Sequence, residues 1–95
     1  MNGENKSLGA VPVFSGEHKD FASFKLRLAG YATIQDFDDC MRGARADADD
    51  AWKKKNKRLM GTLALSCGGN YKAESIIRQF QELENPDGRS AWDAL

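Results

Sequence analysis

DADDAWKKKNKRLMGTLALSCGGN, residues 47–70, opens on acids, passes through a lysine run behind a single tryptophan, and closes on two glycines and an asparagine. At about 100° per residue Trp52, Leu59, Met60, Leu63 and Cys67 share one face, while Lys53, Lys54, Lys57 and Arg58 sweep the opposite side. The spacing predicts an amphipathic helix that begins between Asp47 and Asp50 and runs to Ser66. Acids in its first turn suit the positive end of the helix dipole. Asp49 and Asp50 also stand four residues before Lys53 and Lys54, where opposite charges attract. Gly68 and Gly69 predict the stop, and Asn70 predicts the cap of a following helix.

The same period extends in both directions. From His18 onward Phe21, Phe24, Leu28 and Tyr31 or Ala32 recur at three- and four-residue steps, which predicts a helix over this stretch. TIQDFDDCM, residues 33–41, predicts a shorter second helix with Thr33 as its cap and Ile34, Phe37 and Met41 on one side. RGARADA, residues 42–48, reads as a flexible connector. YKAESIIRQFQEL, residues 71–83, predicts a helix with Tyr71, Ile76, Ile77, Phe80 and Leu83 as its apolar set. ENPDG, residues 84–88, has the chemistry of a turn, and RSAWDAL begins a last helix with Asp87 as a candidate cap. VPVFSG, residues 11–16, reads as an extended lead-in, since Pro12 cannot donate to a strand ladder. Residues 1–10 bury nothing and are expected to be a flexible N-terminal arm.

The expected fold is therefore all-α: a small bundle of about four to five helices, residues 11–95, behind an extended N-terminal arm. Its core anchors are Phe14, Phe21, Phe24, Leu28, Trp52, Leu59, Leu63, Phe80 and Trp92, each contributing about 1.5–3 kcal/mol on full burial before entropy is subtracted. The helix at His18 and the helix of the opening stretch are expected to form the centre, through Phe24, Leu28, Trp52, Leu59 and Leu63.

Composition narrows the function. The 95 residues carry 14 basic and 14 acidic groups, so no global field draws the chain to nucleic acid or a membrane surface. Only residues 41–70 are locally positive, with seven basic and three acidic groups. No apolar run reaches the roughly 18–20 residues of a membrane span, and MNGENKSLGA lacks the apolar stretch of a secretory signal, so an intracellular, cytoplasmic protein without membrane contact is expected. Cys40 and Cys67 stand apart from any second ligand at metal-like spacing and read as buried thiols.

A calcium loop starting at Asp47 would place Ala51, Trp52 and Arg58 where the motif needs oxygen, glycine and glutamate, and the acids at 36–39 lack partners. His18 is the sole histidine, and no serine or cysteine lies in a nucleophile motif. Neither catalytic residue, metal, cofactor nor small-molecule substrate is expected. The charged segment leaves one binding reading, RNA phosphate contact through Lys53, Lys54, Lys57 and Arg58, without interleaved aromatics for base stacking.

The order of three segments carries a resemblance. VPVFSGEHKDFASFKLRLAGYAT, then AWKKKNKRLMGTLALS, then SAWDAL resemble the N-terminal region of Gag polyproteins of copia-type LTR retrotransposons. In that family an F-x-G turn, here Phe14 and Gly16, precedes a helix with an aromatic anchor, here Phe24 in place of the usual tryptophan. A tryptophan, here Trp52, opens a Lys-rich helix ending in L-x-L-S, here Leu63 to Ser66, and an A-W-D-x-L element follows, here Ala91 to Leu95. NPDG lengthens the approach to that element.

The resemblance implies an all-helical capsid-like lobe that packs against copies of itself toward a virus-like particle enclosing the element's RNA. It implies no catalytic residue. The family continues beyond the position of Leu95 into a second helical lobe, often with a zinc knuckle, so the resemblance implies a domain truncated at its C-terminal end. The sequence does not locate the assembly surface; apolar groups off the buried stripes, such as Leu26 and Leu65, are candidates for it. A host protein that retained a Gag-like domain as an interaction adaptor is the alternative.

Overall fold

Asp49 starts the longest element: its carboxylate accepts a hydrogen bond from the Trp52 backbone N–H at 2.8 Å, and the chain turns helical from the next residue. The computed structural model describes residues 11–42, 49–82, 84 and 86–95; the arm expected at 1–10, most of the connector and Leu83 lie outside them. Among the described residues there are four α-helices and no strand, as the periodicity requires. They are α1 (Phe21–Ile34), α2 (Asp50–Ser66), α3 (Tyr71–Gln81) and α4 (Gly88–Ala94), with 3-10 turns at His18–Asp20 and Asp38–Met41. None of these helices is long and apolar enough to cross a membrane.

Two expectations are corrected. The second helix expected over residues 33–41 is only the four-residue 3-10 turn Asp38–Met41. Helix α1 runs on through Ile34, and Thr33 is inside it, its hydroxyl donating to the Ala29 carbonyl at 2.9 Å instead of capping anything. Asp36 then takes φ 61°, a left-handed conformation that aspartate tolerates better than most residues. The Phe37 N–H bonds to the Ala32 carbonyl at 2.9 Å and the Asp36 N–H to Thr33 at 3.2 Å, the paired bonds of a Schellman stop. Carried along in the α1 register, Ile34 faces outward, 58% exposed. Tyr71 is the second correction. It sits about 120° around α3 from buried Ile77 and is 86% exposed, while Ala73 takes the inward place.

The core gathers Phe24, Leu28 and Ala32 of α1, Phe37 and Cys40 of the intervening turn, and Leu59, Met60, Leu63 and Cys67 of the α2 segment. Ala73 and Ile77 of α3 and Ala91 and Trp92 of α4 complete it. Phe14, Phe21, Trp52 and Phe80 are half-buried and pack against this cluster from its edges. The lead-in crosses the far end of α2: the Phe14 N–H donates to the Ser66 carbonyl at 2.9 Å, and the Phe14 ring stacks on Phe24 with centroids 5.0 Å apart. Gly16, at φ 90°, lies against the side-chain amide of Asn70, whose oxygen caps α3 through the Ala73 N–H. The F-x-G element thus straps the α2–α3 junction.

A close backbone approach joins α2 to α4. Gly88 is buried at the first position of α4, and a Cβ there would stand 2.5 Å from the Asn56 carbonyl oxygen and 2.5 Å from the Met60 nitrogen. Glycine lets the two backbones touch. At the same contact the buried Asn56 side chain accepts from the Arg89 N–H at 2.7 Å and donates to Asp87 at 3.2 Å, while Asp87 caps α4 through the Ser90 N–H at 3.1 Å. Gly61, one turn along α2, is exposed with open space where its Cβ would stand. Two alanine substitutions should therefore move stability in opposite directions. Gly88→Ala should cost about 1–3 kcal/mol through overpacking, and Gly61→Ala should add up to about 1 kcal/mol through helix propensity. Urea midpoints measure both; equal and small shifts would contradict the close approach.

Candidate functional site

The lysine run of α2 does not act as one patch. Lys53, Lys54 and Lys57 are exposed, and no carboxylate among the described residues pairs with them. The expected pairs with Asp49 and Asp50 do not form. The Asp49 carboxylate is taken up by the Trp52 N–H, a charge-assisted bond that outweighs an exposed ion pair. The Arg58 guanidinium lies 5.2 Å from the centre of the Phe37 ring, so it covers the turn after α1. Lys55 reaches Asp39 at 2.8 Å with its side chain only 23% exposed, and that carboxylate holds the ammonium above its ordinary pKa. The segment therefore offers three free lysines on one side and two cations tied to the fold on the other.

The A-W-D-x-L residues have structural tasks. Ala91 and Trp92 are buried, Leu95 packs against the core, and Asp93 accepts from Arg89 Nε at 2.9 Å. Arg89 also donates to the Cys40 carbonyl at 3.3 Å, which ties α4 to the 3-10 turn. On the outer side of Trp92 the Lys25 ammonium of α1 stands 5.0 Å from its ring and 5.4 Å from that of Phe21. Asn56, Gly88 and Arg89 were absent from the expected residues. Asn56 had a readable signal, since it falls about 40° from Trp52 on the wheel, a lone amide inside an apolar stripe. Gly88 did not, because turn chemistry accounts for a glycine after Asp87 equally well.

Both cysteines are buried and free. Cys40 donates to the Phe37 carbonyl at 3.1 Å. Burial pushes the Cys40 thiol from its ordinary 9.0 up to about 11. Cys67 rises from 9.0 to about 11 for the same reason. Neither is a poised nucleophile. Among the described residues no group of three or more His, Cys, Asp or Glu side chains is placed to hold a metal ion.

The surface also carries large apolar side chains. Leu26 is 76% and Leu65 70% exposed, and Val13 also points outward. Val13 and Leu65 are chain neighbours of the two partners of the Phe14–Ser66 hydrogen bond, and Tyr71 follows the Asn70 that faces Gly16; all three side chains are exposed. Leu26 belongs to a separate face on α1, beside a groove between α1 and the 3-10 turn. No family model matches the chain, and no curated protein or solved structure matches it.

The raised thiol pKa values give a prediction with a definite sign. Unfolded chains ionise their thiols first, so this contribution to stability is complete below pH 9 and is lost as pH rises toward 11. At pH 8 a chromogenic disulfide reagent should label neither cysteine until the chain unfolds, and both afterward. Labelling of either within seconds in native buffer would contradict the burial.

Proposed function

We propose that this domain is structural: a capsid-like lobe of a copia-type Gag that associates with copies of itself toward a particle enclosing the element's RNA. The observation that carries the reading is the set of large apolar side chains turned outward on a small charged domain, Leu26 and Leu65 foremost. Weak contacts through such groups gain strength when repeated over many copies. Support also comes from where the resembling motifs act. Phe14 and Gly16 strap the bundle, Trp52 opens the lysine helix behind its Asp49 cap, and Ala91 and Trp92 close the core. Each motif thus has a mechanical reason to persist in a domain whose task is to present surfaces.

RNA contact through the helix α2 face is the second reading, favoured by Lys53, Lys54 and Lys57 standing exposed without an acidic partner among the described residues. With Arg58 they supply at most four phosphate contacts. Four contacts on a single strand imply an affinity loss of about fifty-fold between 50 and 200 mM salt.

Sedimentation across micromolar to millimolar protein, with electron microscopy of the concentrated samples, tests the structural reading. The expected result is reversible, concentration-dependent association. A monomer at every concentration would overturn it. Absence of RNA binding at 50 mM salt would end the second reading and leave the first intact.

A further inference from the structure

Asp87 and Gly88 form an aspartyl–glycyl pair, in which the backbone can react with its own side chain. The Gly88 nitrogen attacks the carbon of the protonated Asp87 carboxyl. An N–C bond forms, a C–O bond breaks, and the departing hydroxyl leaves as water with the amide proton. Water then reopens the five-membered imide at either carbonyl. One opening restores aspartate; the other leaves an isoaspartyl link, in which the main chain runs through the former side chain. Water is the only co-reactant. Glycine obstructs the attack least, having no Cβ beside the nitrogen and the widest choice of backbone angles.

The fold keeps the reacting atoms apart. Ring closure needs the Gly88 nitrogen eclipsed with the Asp87 Cβ about the Cα–C bond. Asp87 has ψ 88°, which in an L residue places that nitrogen nearly trans to Cβ. The carboxylate is held as well. One oxygen accepts from Asn56 Nδ2 at 3.2 Å and from the Ser90 N–H at 3.1 Å, the other from the Ser90 hydroxyl at 2.8 Å. On the main chain the Asp87 N–H donates to the Phe80 carbonyl at 3.1 Å, and the Asp87 carbonyl accepts from the Ala91 N–H at 3.2 Å. Gly88 itself is wedged against α2, with no room for a Cβ between it and the Asn56 carbonyl. Rotating ψ to the reactive arrangement breaks these bonds or drags Gly88 from its contact, so the reaction waits on α4 leaving its seat.

We propose that Asp87–Gly88 is a latent modification site, an isomerising peptide bond that the α2–α4 seat keeps shut and that locks α4 out once it has reacted. The isoaspartyl link adds a methylene to the backbone and takes the capping carboxyl carbon into the main chain. A contact too close for one methyl group does not accept the longer backbone. The chemistry is slow beside opening and closing, so its rate in the folded protein is the unfolded-chain rate multiplied by the fraction of time α4 is open. The bond thus keeps a covalent record of that opening.

Peptide mapping of the full chain, incubated at neutral pH both folded and in denaturing guanidinium chloride, tests the proposal. Mapping by site separates Asp87 from Asn2–Gly3, the chain's other pair of this kind. Isoaspartate at position 87 should accumulate at least about tenfold more slowly in the folded chain. Asn56→Ala, with its circular dichroism unchanged, should raise the folded-state rate. Guanidinium below the unfolding transition should do the same to the unmodified chain, so the result does not hang on one variant. The isolated isoaspartyl chain should unfold at a lower denaturant midpoint. No isoaspartate at 87 even in the denatured chain would overturn the site, and equal folded and denatured rates would overturn its protection. A folded-state rate unmoved by both perturbations would overturn the role of the seat, and an unchanged midpoint after isomerisation would overturn the lock-out.

Discussion

The contact between Asn56 and the start of α4 is the constraint on which the rest of the structure depends. A seven-residue helix is too short to hold itself in water and takes its stability from packing. Gly88 removes the one side-chain atom that would keep the α4 backbone off α2, and the Asn56 amide satisfies the Arg89 N–H while holding the Asp87 cap. Once α4 is seated, Trp92 and Ala91 close the core over Leu59 and Leu63, and Arg89 reaches the Cys40 carbonyl to fix the turn after α1. Without that seat the aromatic ring would face water and the carboxyl end of the 3-10 turn would lose its donor. The amide is therefore the junction through which α2 seats α4 and, through Arg89, the turn after α1.

Most of the architecture was legible because it follows from period and capping. Helix α2 needed only its apolar stripe, the acid before it and the glycines after it; α3 needed Asn70 and the Ile77–Phe80 step; Asp87 announced α4. The short helix expected at 33–41 failed for a physical reason. Thr33 has cap chemistry, but α1 was already propagating, and adding one more helical residue costs less than nucleating a new helix. The stop came instead from Asp36 in a left-handed conformation, which few would read from an aspartate between Gln35 and Phe37. Tyr71 misled in another way, being apolar enough to be counted with α3's stripe yet out of its register.

The surface was less legible than the core. The lysine run reads as one feature in the chain, yet tertiary partners divide it: Asp39 takes Lys55, the Phe37 ring takes Arg58, and three lysines are left to solvent. Partners sixteen or twenty-one residues away leave no trace in local periodicity. Leu26 and Leu65, in contrast, were visible as apolar residues out of register, and both stand exposed. A domain built this way has a small, well-tied interior and an outside on which a few large apolar side chains, Val13, Leu26, Ile34, Leu65 and Tyr71, stand among charged and polar ones.

The most direct test of the α2–α4 seat is a double-mutant cycle on Asn56→Ala and Asp87→Ala, with unfolding free energies from urea titration. The cycle cancels the separate loss of the α4 cap and leaves the interaction between the two side chains. A coupling of about 1–2 kcal/mol is expected for a part-buried, charge-assisted bond. Additive effects, with coupling near zero, would show that Asn56 and the Asp87 cap act independently and would contradict the account.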